Sequence, residues 1–232
     1  GRSTLEVIKK DKSNFDIILL TANNNYKKLI IQAKYFKAKN VLINNKKYFE
    51  KVKNALKKTK TKVFSGNIPI TKIIFSKLDY TMSAIVGIAG LQPTLESIKI
   101  SKVVAIANKE SIICGWDVLQ KFIKKNKTTI LPVDSEHFSI KELSLNIKDE
   151  DVEEIIITAS GGPLLHTPKY KLSNISPNEA IRHPNWKMGK KISVDSATMM
   201  NKVFEIIEAK KIFNLNYNKL DILVHPSSYI HS

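Results

Sequence analysis

The stretch FDIILLTANNNYKKLIIQAKYFKAKNVLIN, residues 15–44, decides how this chain folds. Residues 15–21 and 41–44 are short runs of apolar, partly β-branched side chains, which is typical of buried strands. Residues 26–36 between them have the apolar spacing of a helix. A strand, a helix and a second strand of these lengths predict two parallel strands that are joined by a crossover helix.

The same alternation continues on the C-terminal side of this stretch. Further strands are predicted at residues 83–86, 103–107 and 128–133, and further helices at residues 47–57, 92–98 and 111–124. The pattern therefore predicts an α/β fold with a parallel sheet that is covered on both faces. After about residue 135 the chain is richer in loops, with a strand at 154–158, a helix at 196–213 and a strand at 221–224. We place a domain boundary near residue 135.

Composition excludes several classes of protein. The chain has 232 residues, 43% of them apolar, so it can bury a substantial core. It has no apolar run of about 18 residues, and its single cysteine, Cys114, excludes an internal disulfide framework. The formal charge of +17 suggests an anionic partner, but only Arg2 and Arg182 among the 38 basic residues are arginines. Because nucleic-acid readers favour the arginine fork, we expect no nucleic-acid partner. Because no apolar run is long enough to span a bilayer, we expect no membrane partner either.

The segment Asp134-Ser135-Glu136 follows a predicted strand and has two interpretations. In an extended backbone the two carboxylates point to the same side, where they can share one divalent cation, and Ser135 points elsewhere. Alternatively, Ser135 caps a helix and Glu136 complements the helix dipole. The spacing leaves both interpretations open.

Two carboxylates are too few to hold a metal ion, so the first interpretation requires a third acid. In the predicted helix that begins near residue 196, Asn201, Lys202 and Glu205 share one face. Glu208 is an equally good third ligand by spacing, and a solvated Lys/Glu pair is the alternative without a metal.

Three other segments carry side chains that suit an anionic ligand. Ser160-Gly161-Gly162 can present a hydroxyl and backbone N–H groups to a phosphate, or form an ordinary turn. Residues 183–189 combine a histidine, an indole and a glycine in a loop that could close over a ligand, or that could be a simple surface loop. Lys109 follows a predicted strand, where it is an anion contact or a solvated lysine.

Taken together, these segments resemble one family, 1-deoxy-D-xylulose 5-phosphate reductoisomerase. The matching motifs occur in the family's order along essentially the whole chain: ANKES (107–111), LPVDSEH (131–137), SGGP (160–163), HPNW (183–186), MG (188–189), KISVDSATMMNK (191–202), IEA (207–209), HP (225–226) and IHS (230–232). The resemblance implies a Rossmann-like NADPH-binding domain over residues 1–134, followed by an α/β catalytic domain over residues 135–232. The implied reaction is the NADPH-dependent rearrangement and reduction of 1-deoxy-D-xylulose 5-phosphate to 2-C-methyl-D-erythritol 4-phosphate, in isoprenoid precursor synthesis.

The resemblance also implies a role for individual residues. A Mg²⁺ or Mn²⁺ ion would be held by Asp134, Glu136 and Glu205, with Glu208 outside the site. The substrate would contact Lys109, Ser135, Glu136, Ser160, His183, Ser196, Asn201, Lys202 and Glu205, and the catalytic set would be Lys109, Glu136, His183 and His231. Residues 183–190, with Trp186 and Met188, would form a lid. NADPH would contact Gly1, Asn23, Asn24, Asn25, Asn108, Glu110 and Gly189.

Several positions depart from the family pattern. Where relatives have a Gly-basic-Asn turn, this chain has Asn23-Asn24-Asn25, so the preference for NADPH over NADH rests on the resemblance alone. Val203 replaces an expected glycine, and residues 138–143 diverge. The family's glycine-rich loop is represented only by Gly1, and we expect a helical C-terminal domain to lie beyond Ser232.

These departures leave three hypotheses. The first is a fragment of a reductoisomerase that is a homodimer at full length and works in the bacterial cytoplasm or a plastid. We expect little turnover from the 232 residues alone. The second is another nicotinamide-dependent sugar-phosphate dehydrogenase, and the third is a non-catalytic basic protein that binds nucleic acid.

Overall fold

A computed structural model describes residues 1–182 and 189–232 of the chain. Strands and helices alternate along this part of the sequence. The strands are β1 (Leu19–Ala22), β2 (Asn40–Ile43), β3 (Lys62–Ser65), β4 (Leu78–Ser83), β5 (Ser101–Ile106), β6 (Thr129–Pro132), β7 (Ile155–Ala159) and β8 (Leu220–Val224). The α-helices are α1 (Arg2–Lys10), α2 (Tyr26–Phe36), α3 (Phe49–Leu56), α4 (Leu91–Ile100), α5 (Lys109–Asn126), α6 (Ser135–Leu143), α7 (Pro177–Ala180), α8 (Lys190–Ala197) and α9 (Met200–Phe213).

The chain divides into two compact units. One unit consists of residues 1–85, 92–104 and 122–129, and the other of residues 86–91, 105–121 and 130–232. The described strands form three sheets, with orders β1-β2-β3, β4-β5-β6 and β7-β8. In β1-β2-β3 and in β7-β8 all the pairs are parallel. The predicted α/β class with parallel sheets is therefore confirmed.

The first sheet is buried on both faces. Val41 and Ile43 point to one face, where they pack with α2 and α3 residues such as Leu29 and Val52. Leu42, between them in the sequence, packs on the other face in a separate cluster with Ile70, Ile73 and Ile74. This two-sided burial explains why β2 has a continuous apolar sequence rather than an alternating one.

The second unit has a small core that fixes the positions of two helices. Ile140 of α6, Ile157 of β7 and Ala209 of α9 pack together, and each is at most 4% exposed. Since α6 and α9 carry the acidic residues singled out above, this apolar contact holds those side chains against each other. In the part of the chain that the structure describes, no helix has the length and apolar character needed to cross a membrane.

Three predicted elements are wrong in their bounds, and the first of them, the strand predicted at 15–21, is β1, which begins only at Leu19. The strand predicted at 83–86 is β4, which ends at Ser83, and the chain then turns at Gly87 with φ +79°. The single helix predicted at 196–213 is in fact α8 and α9, because Met199 between them has φ +61°. A helix cannot pass through a residue in the left-handed region, so the chain changes direction there. The short strand β3 was not predicted.

Candidate functional site

Helix α6 begins at the segment Asp134-Ser135-Glu136. The backbone of Asp134 is extended (φ −59°, ψ +135°), and its carboxylate accepts a hydrogen bond from the Glu136 N–H at 3.3 Å. Asp134 is therefore the N-cap, whereas the helix interpretation of the sequence had assigned that role to Ser135. Ser135 does not point away from the carboxylates either, because its hydroxyl donates to Glu136 Oε2 at 2.7 Å.

Helix α9 brings three polar side chains to the same place. Asn201 donates to Glu205 Oε1 at 2.5 Å, and the ammonium of Lys202 lies 2.5 Å from Glu205 Oε2. The Lys202 ammonium is also 3.5 Å from Glu136 Oε1, which links α9 to α6. Glu205 is only 2% exposed. Its two oxygens are therefore fixed in direction before any ligand is present.

Two overlapping sets of side chains could hold a metal ion. Asp134, Glu136 and Glu205 each offer a carboxylate oxygen, and these oxygens lie within 4.8 Å of one another. Asp134, His137 and Glu208 form the second set by the same measure. Three carboxylates suit a hard cation such as Mg²⁺ or Mn²⁺. The first set therefore fits the implied metal, and Glu208 lies beside the site rather than remote from it.

Lys109, the first residue of α5, is a fixed cation within this acidic cluster. Its ammonium lies 3.3 Å from Asp134 Oδ2, 3.5 Å from Glu205 Oε1 and 3.8 Å from Glu208 Oε2, and it donates to Asn201 Oδ1 at 2.7 Å. Its side chain is 15% exposed. These contacts bring Lys109 to the carboxylates from a distant part of the sequence.

The surroundings of the acidic residues shift their pKa values in opposite directions. Removal from water raises the pKa of Glu205 to about 7 and that of Glu208 to about 8, and the Asp134 charge adds to both effects. Burial also opposes ionisation of Asp134, but the Lys109 ammonium and the hydrogen bond from Glu136 outweigh it and lower its pKa to about 2. Asp134 is thus ionised across the neutral range, whereas the two α9 carboxyls are poised to exchange protons.

His137 is a buried neighbour to which the sequence analysis gave no role. Its Nε2 lies 2.9 Å from the backbone carbonyl oxygen of Glu205, and its Nδ1 lies 3.6 Å from Asp134 Oδ1. Burial lowers the pKa of this imidazole. The spacing of Asp134 and His137 (i, i+3) at a helix start was the only signal in the sequence for this contact.

The first set of carboxylates opens into a cavity of about 310 Å³. Lys109, His137 and Glu208 are not among its walls, whereas most of the predicted substrate residues are. The described residues around it are Asp134, Ser135, Glu136, Thr158, Ala159, Ser160, Gly161, Ile192, Ser196, Met199, Asn201, Lys202, Glu205, Ser228, Ile230 and His231. Carboxylates, hydroxyls, an amide and an ammonium thus share one concave space, which suits a small, polar, anionic ligand.

Several lining residues have no role in the sequence predictions: Thr158, Ala159, Ile192, Met199, Ser228 and Ile230. The Thr158 hydroxyl donates to the carbonyl of Ile230, and the Thr158 N–H donates to the carbonyl of His231 at 3.1 Å. These bonds fasten the segment that contains His231 to β7. His231 Nδ1 lies 3.5 Å from Glu136 Oε1. In the sequence, only local Ser and Thr content points to Thr158 and Ser228, and this is too common a feature to select them.

The predicted cofactor residues lie in both units. Gly1 precedes α1, and Asn23, Asn24 and Asn25 follow β1, with Asn25 as the N-cap of α2. In the second unit, the buried Asn108 amide donates to the Gly87 carbonyl, Glu110 lies 3.4 Å from the Lys191 ammonium, and Gly189 is the N-cap of α8. The predictions for His183, Trp186 and Met188 lie outside the described residues.

Two family models match the chain. A model described as 1-deoxy-D-xylulose 5-phosphate reductoisomerase matches residues 1–115, and a model described as the C-terminal domain of the same enzyme matches residues 130–213. This chain belongs to the 1-deoxy-D-xylulose 5-phosphate reductoisomerase family. A reductoisomerase of Pelagibacter ubique is 56% identical over 100% of this chain and 60% of its own length. The chain thus spans about 60% of the length of this curated relative.

Solved structures of reductoisomerases show the same fold. The enzyme from Zymomonas mobilis in complex with NADPH superimposes with a TM-score of 0.90 at 39% identity, over 100% of this chain and 60% of that one. A second reductoisomerase, in complex with NADPH, fosmidomycin and magnesium, gives a TM-score of 0.89 at 34% identity, again over 100% and 60%. The Rossmann-like α/β fold that the sequence resemblance implied is confirmed.

The raised pKa values of Glu205 and Glu208 give a testable pH dependence. Between their ordinary value of 4.5 and about 8, the folded chain keeps protons that the unfolded chain releases. The metal-free protein should therefore become less stable as the pH rises from about 5 to about 8.5. Urea unfolding with a chelator present would measure this, and Glu208→Gln should flatten the dependence. An unchanged dependence in that variant would contradict the assignment to Glu208.

Proposed function

We propose that this chain belongs to a protein that converts 1-deoxy-D-xylulose 5-phosphate to 2-C-methyl-D-erythritol 4-phosphate with NADPH and a divalent metal ion. The observation that carries this proposal is the convergence of the Asp134, Glu136 and Glu205 oxygens at one cavity. The same cavity is lined by groups that suit a phosphate. The family's name and the ligands of its solved members, NADPH and magnesium, support the same conclusion.

Asp134, Glu136 and Glu205 would hold a Mg²⁺ or Mn²⁺ ion. When bound, such an ion supplies a Lewis acid that polarises a carbonyl and stabilises negative charge on oxygen. The role of the three side chains is to fix the position of that charge. The Lys202 ammonium, 2.5 Å from Glu205 Oε2, and the Asn201 amide keep Glu205 from rotating. We assign no carboxylate as a general base.

Ser160, Ser196, Asn201 and Lys202 would hold the substrate phosphate and its neighbouring hydroxyls. All four line the cavity that the carboxylates reach, and the Lys202 side chain is only 6% exposed. A buried ammonium attracts a phosphate more strongly than a solvated one does, since water screens it less. Holding the substrate at two ends would fix its orientation for reaction.

Ser135, His183 and His231 would contact the rest of the substrate, whereas Lys109, to which the resemblance gives the same role, lies outside the cavity wall. His231 lies 3.5 Å from Glu136 and on the cavity wall, and Ser135 donates to Glu136. Lys109 reaches the carboxylates from outside the cavity lining, so its action would be to neutralise them and to orient Asn201. The proposed role of His183, as of the lid at residues 183–190, rests on the family resemblance.

NADPH supplies the hydride for the reduction. Its proposed contacts are Gly1, Asn23, Asn24, Asn25, Asn108, Glu110 and Gly189. We also propose that residues 1–134 form the cofactor domain and residues 135–232 the catalytic domain. We also propose that the whole protein is a homodimer of the bacterial cytoplasm or of a plastid. Sedimentation of the whole protein tests the dimer.

The direct test of the activity uses an extended protein, in which this chain replaces the matching 60% of the Pelagibacter ubique relative. We expect it to consume NADPH only when the sugar phosphate and Mg²⁺ or Mn²⁺ are both present, and to form 2-C-methyl-D-erythritol 4-phosphate. NMR of the product is the measurement. A folded extended protein that binds Mn²⁺ and NADPH but forms no product would refute the proposal.

A further inference from the structure

Two turns lie side by side at the carboxyl edge of the first sheet. Asn23–Asn25 follows β1, and Asn44-Asn45 follows the neighbouring strand β2. Backbone hydrogen bonds continue past the strands, from the Asn44 N–H to Ala22 at 2.9 Å and from the Asn45 N–H to Asn23 at 3.2 Å. The Asn45 side-chain amide also donates to Asn24 Oδ1 at 2.8 Å. The two turns therefore form one connected surface.

This edge of the sheet is basic and has no acidic residue in its sequence. Residues 17–49 contain no Asp or Glu, while Lys27, Lys28, Lys46 and Lys47 follow the two strands. None of these four lysines has a carboxylate partner among the described ion pairs; the Lys39–Asp16 pair lies at the opposite end of β2. In dinucleotide-binding sheets, an acidic side chain at a strand end accepts hydrogen bonds from the ribose hydroxyls of NAD. A basic residue there accommodates the 2′-phosphate of NADP instead. The basic composition of this edge therefore favours the 2′-phosphate of NADP over the free ribose hydroxyls of NAD.

The short 3₁₀-helical turn Lys46–Tyr48 separates its side chains. With three residues per turn, successive side chains point about 120° apart. The Lys46 side chain lies over the turn after β3, since its Cε is 2.8 Å from where a Cβ on Gly66 would be. Tyr48 points the other way and stacks on Tyr26, with the ring centroids 4.6 Å apart. The 120° spacing gives Lys47 a direction that differs from both, and the residue is exposed.

Lys47 is joined directly to the asparagine turn. Its N–H donates to Asn45 Oδ1 at 3.0 Å, while the amide nitrogen of the same Asn45 side chain donates to Asn24. The Asn45 side-chain amide thus connects the 3₁₀ turn that contains Lys47 with Asn24 in the turn after β1. The Asn24 oxygen is occupied by this bond, so its amide nitrogen is the group left to donate to an anion.

We infer that Lys47 supplies the cationic contact for the 2′-phosphate of the dinucleotide, in place of a basic residue within Asn23–Asn25. This inference rests on the proposed use of a nicotinamide cofactor and goes further by naming the residue that selects its phosphorylated form. An ammonium on the adjacent turn attracts a phosphate dianion as a point charge, with the Asn24 amide as a neutral donor beside it. NADH, which has no 2′-phosphate, gains nothing from this ammonium.

Equilibrium binding of NADPH and NADH to the extended protein tests the inference without turnover. Lys47→Met should raise the Kd for NADPH about tenfold, equivalent to losing about 1.4 kcal/mol, and change the Kd for NADH less than about twofold. Lys46→Met is the matched control, because it removes the same charge from the adjacent position. It should change both constants less than about twofold. Two smaller probes should show the same difference. Lys47→Met should weaken binding of adenosine 2′,5′-bisphosphate, which has the 2′-phosphate, and should leave binding of adenosine 5′-monophosphate nearly unchanged.

The possible outcomes separate the inference from the proposed function. If the extended protein binds NADPH and forms product, but Lys47→Met leaves the ratio of the two Kd values unchanged, the inference alone is wrong. Equal weakening by Lys46→Met and Lys47→Met would also overturn it, because general charge would then explain the effect. If the unmodified extended protein binds neither dinucleotide, the proposed function and the inference both fail.

Discussion

Replacing Glu205 with glutamine is expected to weaken Mn²⁺ binding to the extended protein by at least about a hundredfold. Removing a partner one shell away from a metal costs roughly 10–100-fold in affinity, and a direct ligand should cost no less. Glu205 is 2% exposed and is held by Asn201 and Lys202, so its carboxylate is oriented before a metal binds and its loss removes a preorganised ligand. The amide preserves the shape of the side chain, removes its charge and replaces one acceptor oxygen with a donor NH2, which faces either the Asn201 amide or the Lys202 ammonium.

Titration calorimetry with Mn²⁺ at about pH 8.5 measures this effect, because the pKa of Glu205 is raised to about 7 in the metal-free chain and most of the carboxyl is ionised at that pH. Glu208→Gln is the control. Glu208 lies three residues further along α9, is 2% exposed and also contacts Lys109, but it is absent from the cavity wall. We expect it to weaken Mn²⁺ binding less than about tenfold.

The opposite order of the two effects on Mn²⁺ affinity would place the metal ion at a different set of ligands. If Glu208→Gln weakened binding more than Glu205→Gln, the ion would lie with Asp134, His137 and Glu208, the second set whose ligand atoms are within 4.8 Å of one another. The assignment of the substrate cavity to the metal would then be wrong. Equal effects of the two variants would contradict the separate roles that we give to the two residues.

The ambiguity at Asp134 shows what local spacing can and cannot predict. The metal and helix-cap interpretations were treated as alternatives, yet Asp134 caps α6 and also lies within the carboxylate set. An N-cap residue has extended backbone angles, so its side chain can leave the helix axis and meet partners from elsewhere. The choice between Glu205 and Glu208 depends on which side chain reaches a cavity, and that cavity is built by β7, α8 and the segment near His231. Spacing along α9 contains no information on those elements.

The fold shows the same limit at the junction of α8 and α9. Helix α2 has the predicted bounds and β2 lies within one residue of the predicted strand, because their signal is a local apolar pattern, whereas β1 begins at Leu19 rather than at residue 15. The break at Met199 has no such signal, since methionine is a good helix former and no Gly or Pro interrupts residues 190–213. The positive φ of Met199 opposes its local preference, so tertiary packing must impose it. A close contact between the end of α8 and the turn after β7 identifies that packing.

Gly162 is the residue in that contact, and replacing it with alanine is expected to destabilise the protein by about 2–4 kcal/mol. A Cβ at Gly162 would lie 2.6 Å from the backbone oxygen of Ser196 and 3.2 Å from Cα of Ala197. Both neighbours are backbone atoms, so no side-chain rotation can relieve the clash. The backbone also has φ +68°, which alanine adopts only with strain.

Urea unfolding of the extended protein measures the cost, and Gly87→Ala separates its two causes. Gly87 also has a positive φ, of +79°, but a Cβ there would meet no atom within 4 Å. This variant should therefore lose only the cost of backbone strain, about 2–3 kcal/mol, because φ +79° with ψ −178° is a region that is essentially restricted to glycine. If Gly162→Ala cost no more than about 1 kcal/mol, the strain of a positive φ would account for all of the loss, and the close approach of Ser196 would not be a constraint on the fold.

The clash should also have a consequence for binding. Relief of the contact requires the turn that contains Ser160 to separate from the end of α8, which contains Ser196, and both serines line the cavity. Because the proposed phosphate contacts come from both sides of this junction, the KM for the sugar phosphate should rise more than about tenfold in Gly162→Ala, while Mn²⁺ affinity should change little. The carboxylates lie on α6 and α9, which pack through Ile140, Ile157 and Ala209 rather than through Gly162. Equal losses of metal and substrate affinity would instead indicate that the whole second unit had loosened.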